Sequence, residues 1–302
     1  MPELPEVETT ARSLRPRLVG QRVCAIGGVD WPRMLPNTSE AELQDVLIGH
    51  CVASVERRGK YLLIGFDDDT WLSIHRKMSG NLLLVPRSAV RELHTHLAVS
   101  FENETDLRFV DPRKFGRVNL FRSSVELNDW LAERLGPDSL VDLDAAVLAR
   151  KLKGRSGRIK SLLLDQTFLA GVGNLYADEA LWEARLHPLR PANSLSSREV
   201  KRLALAITHV LTLGIERRGT SFSSYRDSDG TPGENQEFLN AYGREGQPCP
   251  RCGTPIRRIV IGQRSSYFCP KEQVTSHESR VTSRSVMRTG DDLKHGQTLS
   301  SQ

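Results

Sequence analysis

The sequence predicts an α+β protein of several domains, on three observations. Eight short strand-like runs follow one another in the first 125 residues. From about residue 142 the apolar residues switch to three and four spacing, the mark of helices. Near the C-terminus, Cys249, Cys252 and Cys269 gather at C-x2-C-x16-C, a spacing that suits metal better than disulfides. At 302 residues the chain is long enough for more than one core.

The first element is a helix over about Pro5 to Leu18, with an acidic first turn and Gly20 just beyond its end. The runs RVCAIGGV, CVASVERR, KYLLIGF, TWLSIHRK, NLLLVP, THLAVSF, DLRFVD and RVNLF come next. They are rich in β-branched and aromatic residues and are separated by turn residues such as DDD, SG and ENET, which argues for an antiparallel β-sandwich over residues 2–125. Residues 126–140, containing LGPDSL, read as a linker, and 141–245 as a helical domain. Its last helix runs into GTSFSSYRDSDGTPGENQ, a long polar stretch over 220–235 that reads as a substrate lid or as disorder. The cysteine module spans 246–273, and 274–302, almost without large apolar side chains, reads as a disordered tail. No internal repeat is visible.

Composition narrows the function. The chain is 38% hydrophobic and 26% charged, with no apolar run long enough to span a bilayer and no signal peptide, so no membrane partner and a cytoplasmic address are expected. Net charge is +5. Basic residues cluster in ERRGKY, DPRKFGR, ARKLKGRSGRIK and TPIRRIVIGQR, each with glycine or proline, as loops presenting charge to a polyanion would be. One such cluster would be an ordinary solvated face; four together favour phosphate. Cys24 and Cys51 lie in strand-like runs and read as small buried hydrophobes.

The opening MPELPEVETT carries the chemistry. Removal of Met1 would leave Pro2 with a secondary α-amine whose pKa of roughly 7.7 to 8.0 keeps a sizeable neutral, nucleophilic fraction at physiological pH. Attack on a sugar C1′ gives a charged iminium, an electron sink that acidifies neighbouring C–H bonds and allows elimination. Glu3 could move the proton. The competing reading is a capped helix, which also wants proline and acidic residues at its start.

From this opening onward the chain resembles the bacterial formamidopyrimidine-DNA glycosylases, in PELPEVET, RRGKYLL, MSG, DPRKFG, LLLDQTFLAGVGNLYADEALW, GTSFSSYRDSDGTPGENQ, AYGREGQPCPRCGTPI and GQRSSYFCP, which lie in the family's order over about residues 2 to 273. The resemblance implies an N-terminal catalytic β-sandwich, a helix-two-turns-helix domain with a lesion-recognition loop at 220–235, and a C-terminal zinc-finger-like β-hairpin. It implies a bifunctional glycosylase and abasic-site lyase acting on oxidised purines in duplex DNA. Pro2 would be the Schiff-base nucleophile, Glu3 the proton shuttle, Lys60 an aid to β-elimination, and Arg264 the hairpin arginine of δ-elimination. Met78, Arg113 and Phe115 would fill the space left by an extruded base, since a base inside a duplex is otherwise out of reach. His75, His94, Arg155, Lys160 and Asn174 would contact DNA, Asn174 at a glycine-rich helix start that suits phosphate. Away from the resemblance, Met78 and Phe115 would read as core, and Lys60 as a surface lysine in a hairpin.

The cysteine module departs from the family. Three positions of a four-cysteine zinc site are present, but in CPKEQ the fourth is Glu272. A carboxylate can ligate Zn2+, so Cys249, Cys252, Cys269 and Glu272 form the expected set, with His277 as a second candidate and a metal-free hairpin as the alternative. Within the same fold an endonuclease VIII-like enzyme for oxidised pyrimidines is the nearest rival. A non-catalytic damaged-DNA binder is the rival of another class. The expected partner is double-stranded DNA with oxidised bases, bound by a monomer.

Overall fold

The computed structural model describes residues 2–222 and 225–274. The expected tail falls on 275–302 and, with His277, lies outside the described residues. The first helix, α1 (Leu4–Leu18), starts at Glu3, whose amide donates to Glu6 Oε2 at 2.8 Å in a reciprocal capping box. Its apolar stripe, Val7, Ala11, Leu14 and Leu18, is buried in the first core.

All eight strand-like runs form strands: β1 (Val23–Gly27), β2 (Val52–Arg58), β3 (Tyr61–Phe66), β4 (Trp71–His75), β5 (Asn81–Pro86), β6 (Thr95–Phe101), β7 (Thr105–Val110) and β8 (Arg117–Phe121). They pair antiparallel in two four-stranded sheets, ordered β1-β6-β7-β5 and β2-β3-β4-β8. Alternate residues of both, among them Val55, Ile64, Leu72, Leu97, Leu107 and Val118, fill one core together with α1.

Two helices go beyond the sequence expectation. The eight-residue α2 (Glu40–Leu47), capped by Ser39 Oγ on Glu42 N, covers the β1 side through Leu43 and Leu47. A second helix, α3 (Ser124–Ala132), occupies much of the stretch read as a linker; Leu127 and Leu131, at i and i+4, are buried with Leu63 and Phe121. Both are too short for a 3.6-residue period to stand out from the neighbouring strand patterns.

Beyond them come α4 (Ala145–Leu152), α5 (Ile159–Leu164), α6 (Asn174–Glu183) and the 20-residue α7 (Ser197–Glu216), packed round a second core. Leu4 of α1 belongs to this core, and α1 touches both β2 and α7, so the N-terminal helix joins the two cores. The hairpin β9 (Arg257–Ile261) and β10 (Arg264–Phe268) turns through Gly262 and Gln263, both with positive φ (53° and 65°), the conformation of a tight two-residue hairpin turn. Trp182 of α6 packs with Cys249, Ile256 and Cys269 beneath it.

The stretch 220–235 contains no strand or long helix among its described residues, but it is not loose. Arg76, buried in the sandwich, donates to the Arg226 carbonyl at 3.0 Å and lies over the Tyr225 ring, while Leu84 N donates to the Ser228 carbonyl at 2.9 Å. No helix among the described residues is long and apolar enough to cross a membrane.

Candidate active site

Pro2, Glu3, Glu6, Tyr225, Tyr242 and Arg264 are among the residues lining a cavity of about 190 Å³ where the sandwich, α6, the 220–235 stretch and the hairpin meet. The Glu3 carboxylate is fixed by the start of α6: it accepts from Gly173 N at 2.7 Å, Leu175 N at 3.0 Å and Tyr176 N at 3.4 Å. A β-carbon on Gly173 would lie 2.4 Å from the Glu3 carboxyl carbon, so only glycine lets that carboxylate in. Gly171, with φ of 106°, likewise gives way to Leu4.

Glu6, one turn on, is buried and takes Thr220 N and the Tyr176 hydroxyl on Oε1 at 2.8 and 2.9 Å. Burial, and then the Glu3 charge, raise its pKa above the ordinary carboxylate range. Glu6 therefore lines the cavity as a buried carboxyl biased toward its protonated form.

Lys60 sits in the β2–β3 turn, buried, within electrostatic reach of Glu3, Glu6 and Arg264. Burial lowers its pKa, with Glu3 pulling the other way. The turn is pinned to the segment between α3 and α4: Asp138 accepts from Gly59 N at 2.9 Å and from Arg57 Nη1 at 2.6 Å. Arg264 opens β10, exposed and lining the cavity. The structure thus brings Pro2, Glu3, Lys60 and Arg264 together from segments distant in sequence.

Met78 and Phe115 are not core. They are 41% and 42% exposed, in neighbouring turns after β4 and before β8, and the Arg113 guanidinium lies 4.7 Å from the Phe115 ring centre. The residues just before them, Lys77 and Lys114, have positive φ (53° and 55°), which aims these side chains outward at some backbone cost.

The other expected DNA contacts fare unequally. Arg155 is exposed in the loop before α5, and His94 is exposed just before β6. Asn174 faces the cavity and donates to the Ser265 carbonyl at 3.0 Å, so it also holds the hairpin. His75 is partly buried edge-on against Tyr61, its Nδ1 accepting from Lys77 N at 3.0 Å. Burial, with Lys77 and Lys60 nearby, pushes its pKa down to about 3, so it is a neutral ring and not a cation for phosphate. Lys160 corrects the expectation outright. Its ammonium is fully buried, 2.7 Å from Asp178 Oδ1 and 3.0 Å from the Ser265 carbonyl, leaving nothing to offer DNA.

The three cysteine sulfurs lie within 4.8 Å of one another, with Glu272 N donating to Cys269 Sγ at 3.4 Å. Three thiols around one point fit a zinc ion, and these three cysteines are the residues gathered to bind it, where it would tie the base of the hairpin to the chain before β9. The Glu272 carboxylate is not gathered with them. It is turned to Arg185, 3.4 Å from Nε.

Sequence reasoning missed Glu6, Arg76, Asp111 and Asp178. Glu6 read as a helix-capping acid, which it also is. Asp178 left a signal: α6 is buried nearly all round, and an acid on such a helix needs a partner.

Comparison with known proteins accords with this geometry. Residues 1–118 match the formamidopyrimidine-DNA glycosylase N-terminal domain, 135–226 its H2TH domain, and 246–271 the zinc finger found in FPG and IleRS. The chain is 48% identical to a formamidopyrimidine-DNA glycosylase of Herpetosiphon aurantiacus over 274 residues, covering 89% of this chain and 98% of the relative. For the namesake of Chloroflexus aurantiacus the identity is 44% over 280 residues, covering 92% and 99%. Among solved structures, the Lactococcus lactis FPG in complex with a FAPY-dG containing DNA superposes with a TM-score of 0.83 at 36% identity, covering 90% of this chain and 100% of that one. The Lactococcus lactis Fpg bound to an abasic site containing DNA gives 0.84 at 37%, covering 91% and 100%. From the capped N-terminus to the cysteine hairpin, the chain belongs to the formamidopyrimidine-DNA glycosylase family of DNA repair enzymes.

Proposed function

We propose that the chain excises oxidised purines, 8-oxoguanine and formamidopyrimidines, from duplex DNA and then cuts the strand by β- and δ-elimination, as a step of base excision repair. The observation that carries this reading is the Glu3 carboxylate, held by the amides of Gly173, Leu175 and Tyr176 at the start of α6 and lining, with Pro2, a cavity shared with Arg264. The neutral Pro2 amine would attack C1′ as the glycosidic bond breaks, its own proton leaving and the departing base gaining one, with Glu3 as the carrier. The sugar ring would then open, the C1′–O4′ bond breaking as O4′ takes a proton, and the iminium so formed would acidify C2′. Loss of a C2′ proton and the 3′ phosphate follows, then loss of the 5′ phosphate. Lys60 and Arg264 would stabilise the charge that develops on the two leaving phosphates. Bound zinc would supply structure, steadying the hairpin that carries Arg264.

This reading requires Met1 to be removed, since an amide nitrogen has no available lone pair. Borohydride trapping on a duplex with 8-oxoguanine opposite cytosine tests it: the wild-type chain should form a covalent adduct, and a form with Met1 retained should form none. A thymine glycol duplex run alongside should trap less. More adduct there than on 8-oxoguanine would move the substrate class to oxidised pyrimidines, and DNA binding without any adduct would leave only a binder.

A further inference from the structure

Asp111, the residue after β7, is 1% exposed and lies outside the cavity, yet it ties together the two turns that carry Met78, Arg113 and Phe115. Its Oδ2 accepts from Phe115 N and Gly116 N, both at 2.8 Å, and Oδ1 from Arg113 N at 3.3 Å. The same Oδ1 takes the hydroxyl of Ser79, the neighbour of Met78, so one carboxylate bridges both turns. Its backbone is anchored too, through the carbonyl bonded to His96 Nε2 at 3.1 Å. Behind it, the Phe109 ring fills the gap between the turns. A β-carbon on Gly80 would come within 2.6 Å of that ring, and one on Gly116 within 2.3 Å.

Two exposed turns, each with a left-handed lysine, would ordinarily move independently. Four hydrogen bonds to one buried carboxylate and a shared aromatic ring remove that freedom. We infer that Asp111 is a positioning residue that makes the two turns one rigid part, so that Met78, Arg113 and Phe115 enter a duplex together. This rests on the proposed reading of those three side chains as occupants of the extruded base's place. Pre-organisation of this kind matters because displacement of a positioning group by about 1 Å can cost on the order of a hundredfold in rate.

The test compares two substrates on the full chain. Single-turnover excision of 8-oxoguanine from a duplex needs a base unseated and its place filled; lyase action on a single-stranded abasic oligonucleotide needs neither. Asp111→Asn puts an amide where two acceptors stood, and should slow duplex excision about tenfold or more beyond any change in the single-strand lyase rate. Ser79→Ala removes only the bridge and should give the same split in milder form, about threefold. It carries the comparison should the asparagine variant fail to fold. Adding Ser79→Ala to Asp111→Asn should cost nothing further, since both cut the same link. Equal losses on the two substrates, or no loss on the duplex, would overturn the inference while leaving the function standing. A wild-type chain inactive on both substrates would instead sink the functional reading, and this inference with it.

Discussion

Lys160 Nζ lies 2.7 Å from Asp178 Oδ1 with both side chains fully buried, and the Asp178 carboxylate also accepts from Ser266 Oγ and Tyr267 N at 2.9 and 3.0 Å. The pair therefore joins α5 and α6 to β10, the strand that Arg264 opens. Burial pushes Asp178 up to about 6, against the pull of Lys160, and lowers Lys160. Such a pair adds little net stability while whole, but losing one partner strands a buried charge.

Lys160→Met is accordingly expected to cost about 3–5 kcal/mol in urea unfolding. Arg155→Ala, at an exposed loop, should leave stability within about 0.5 kcal/mol and lower the salt slope of DNA binding by about 0.9. A Lys160 variant as stable as wild type would show that this lysine is no clamp.

His75 gives a pH dependence. Its pKa falls from 6.5 to about 3 on folding, so between those values the unfolded chain binds more protons, and stability is lost as pH falls through that window. His75→Asn keeps an acceptor for Lys77 N but does not titrate. Unfolding free energies measured from about pH 7 to 4 should show wild type losing at most about 1.4 kcal/mol per pH unit relative to the variant. Parallel curves would mean that the ring charges freely in the fold.

Glu3→Gln keeps the size of the side chain but cannot deliver a proton, and it replaces with an –NH2 one of the two oxygens that accept from the amides at the start of α6. Base excision should fall on the order of 10² to 10⁴-fold, with borohydride adducts still forming on a preformed abasic site, where no base remains to be expelled. If both fell together, Glu3 would serve Pro2 and not the departing base.

The metal site has its own expectation. Elemental analysis should find one zinc per chain, since three thiols converge. With Glu272 turned to Arg185, the fourth position lacks a thiolate, so chelator competition should strip wild type at a concentration at least about tenfold lower than it strips Glu272→Cys. Equal resistance would mean that Glu272, or another donor, already completes the site.

Much of the architecture was legible because it rests on local pattern. Eight short runs, rich in β-branched and aromatic residues and parted by turn residues, became eight strands, and α7 showed its period over its whole length. The helices α2 and α3 were not: each lies among strand-like runs that mask its short period, and burial of Leu43, Leu47, Leu127 and Leu131 against strands stabilises it. At the site, Pro2 and Glu3 were singled out by the family resemblance, since a start with proline and acidic residues reads equally as a capped helix. The buried roles of Lys160 and Asp111 were not legible: whether a charged residue faces solvent or a buried partner is decided by tertiary contacts, and basic clusters read alike in both cases. Lys160 stood among the exposed residues of GRSGRIK, and nothing in that run sets it apart.

The most direct measurement joins intact mass with peptide mapping of the borohydride-trapped complex. The account predicts a chain that begins at Pro2 and a deoxyribose remnant on that residue's nitrogen. A remnant on Lys60, or efficient trapping by molecules that still carry Met1, would contradict it.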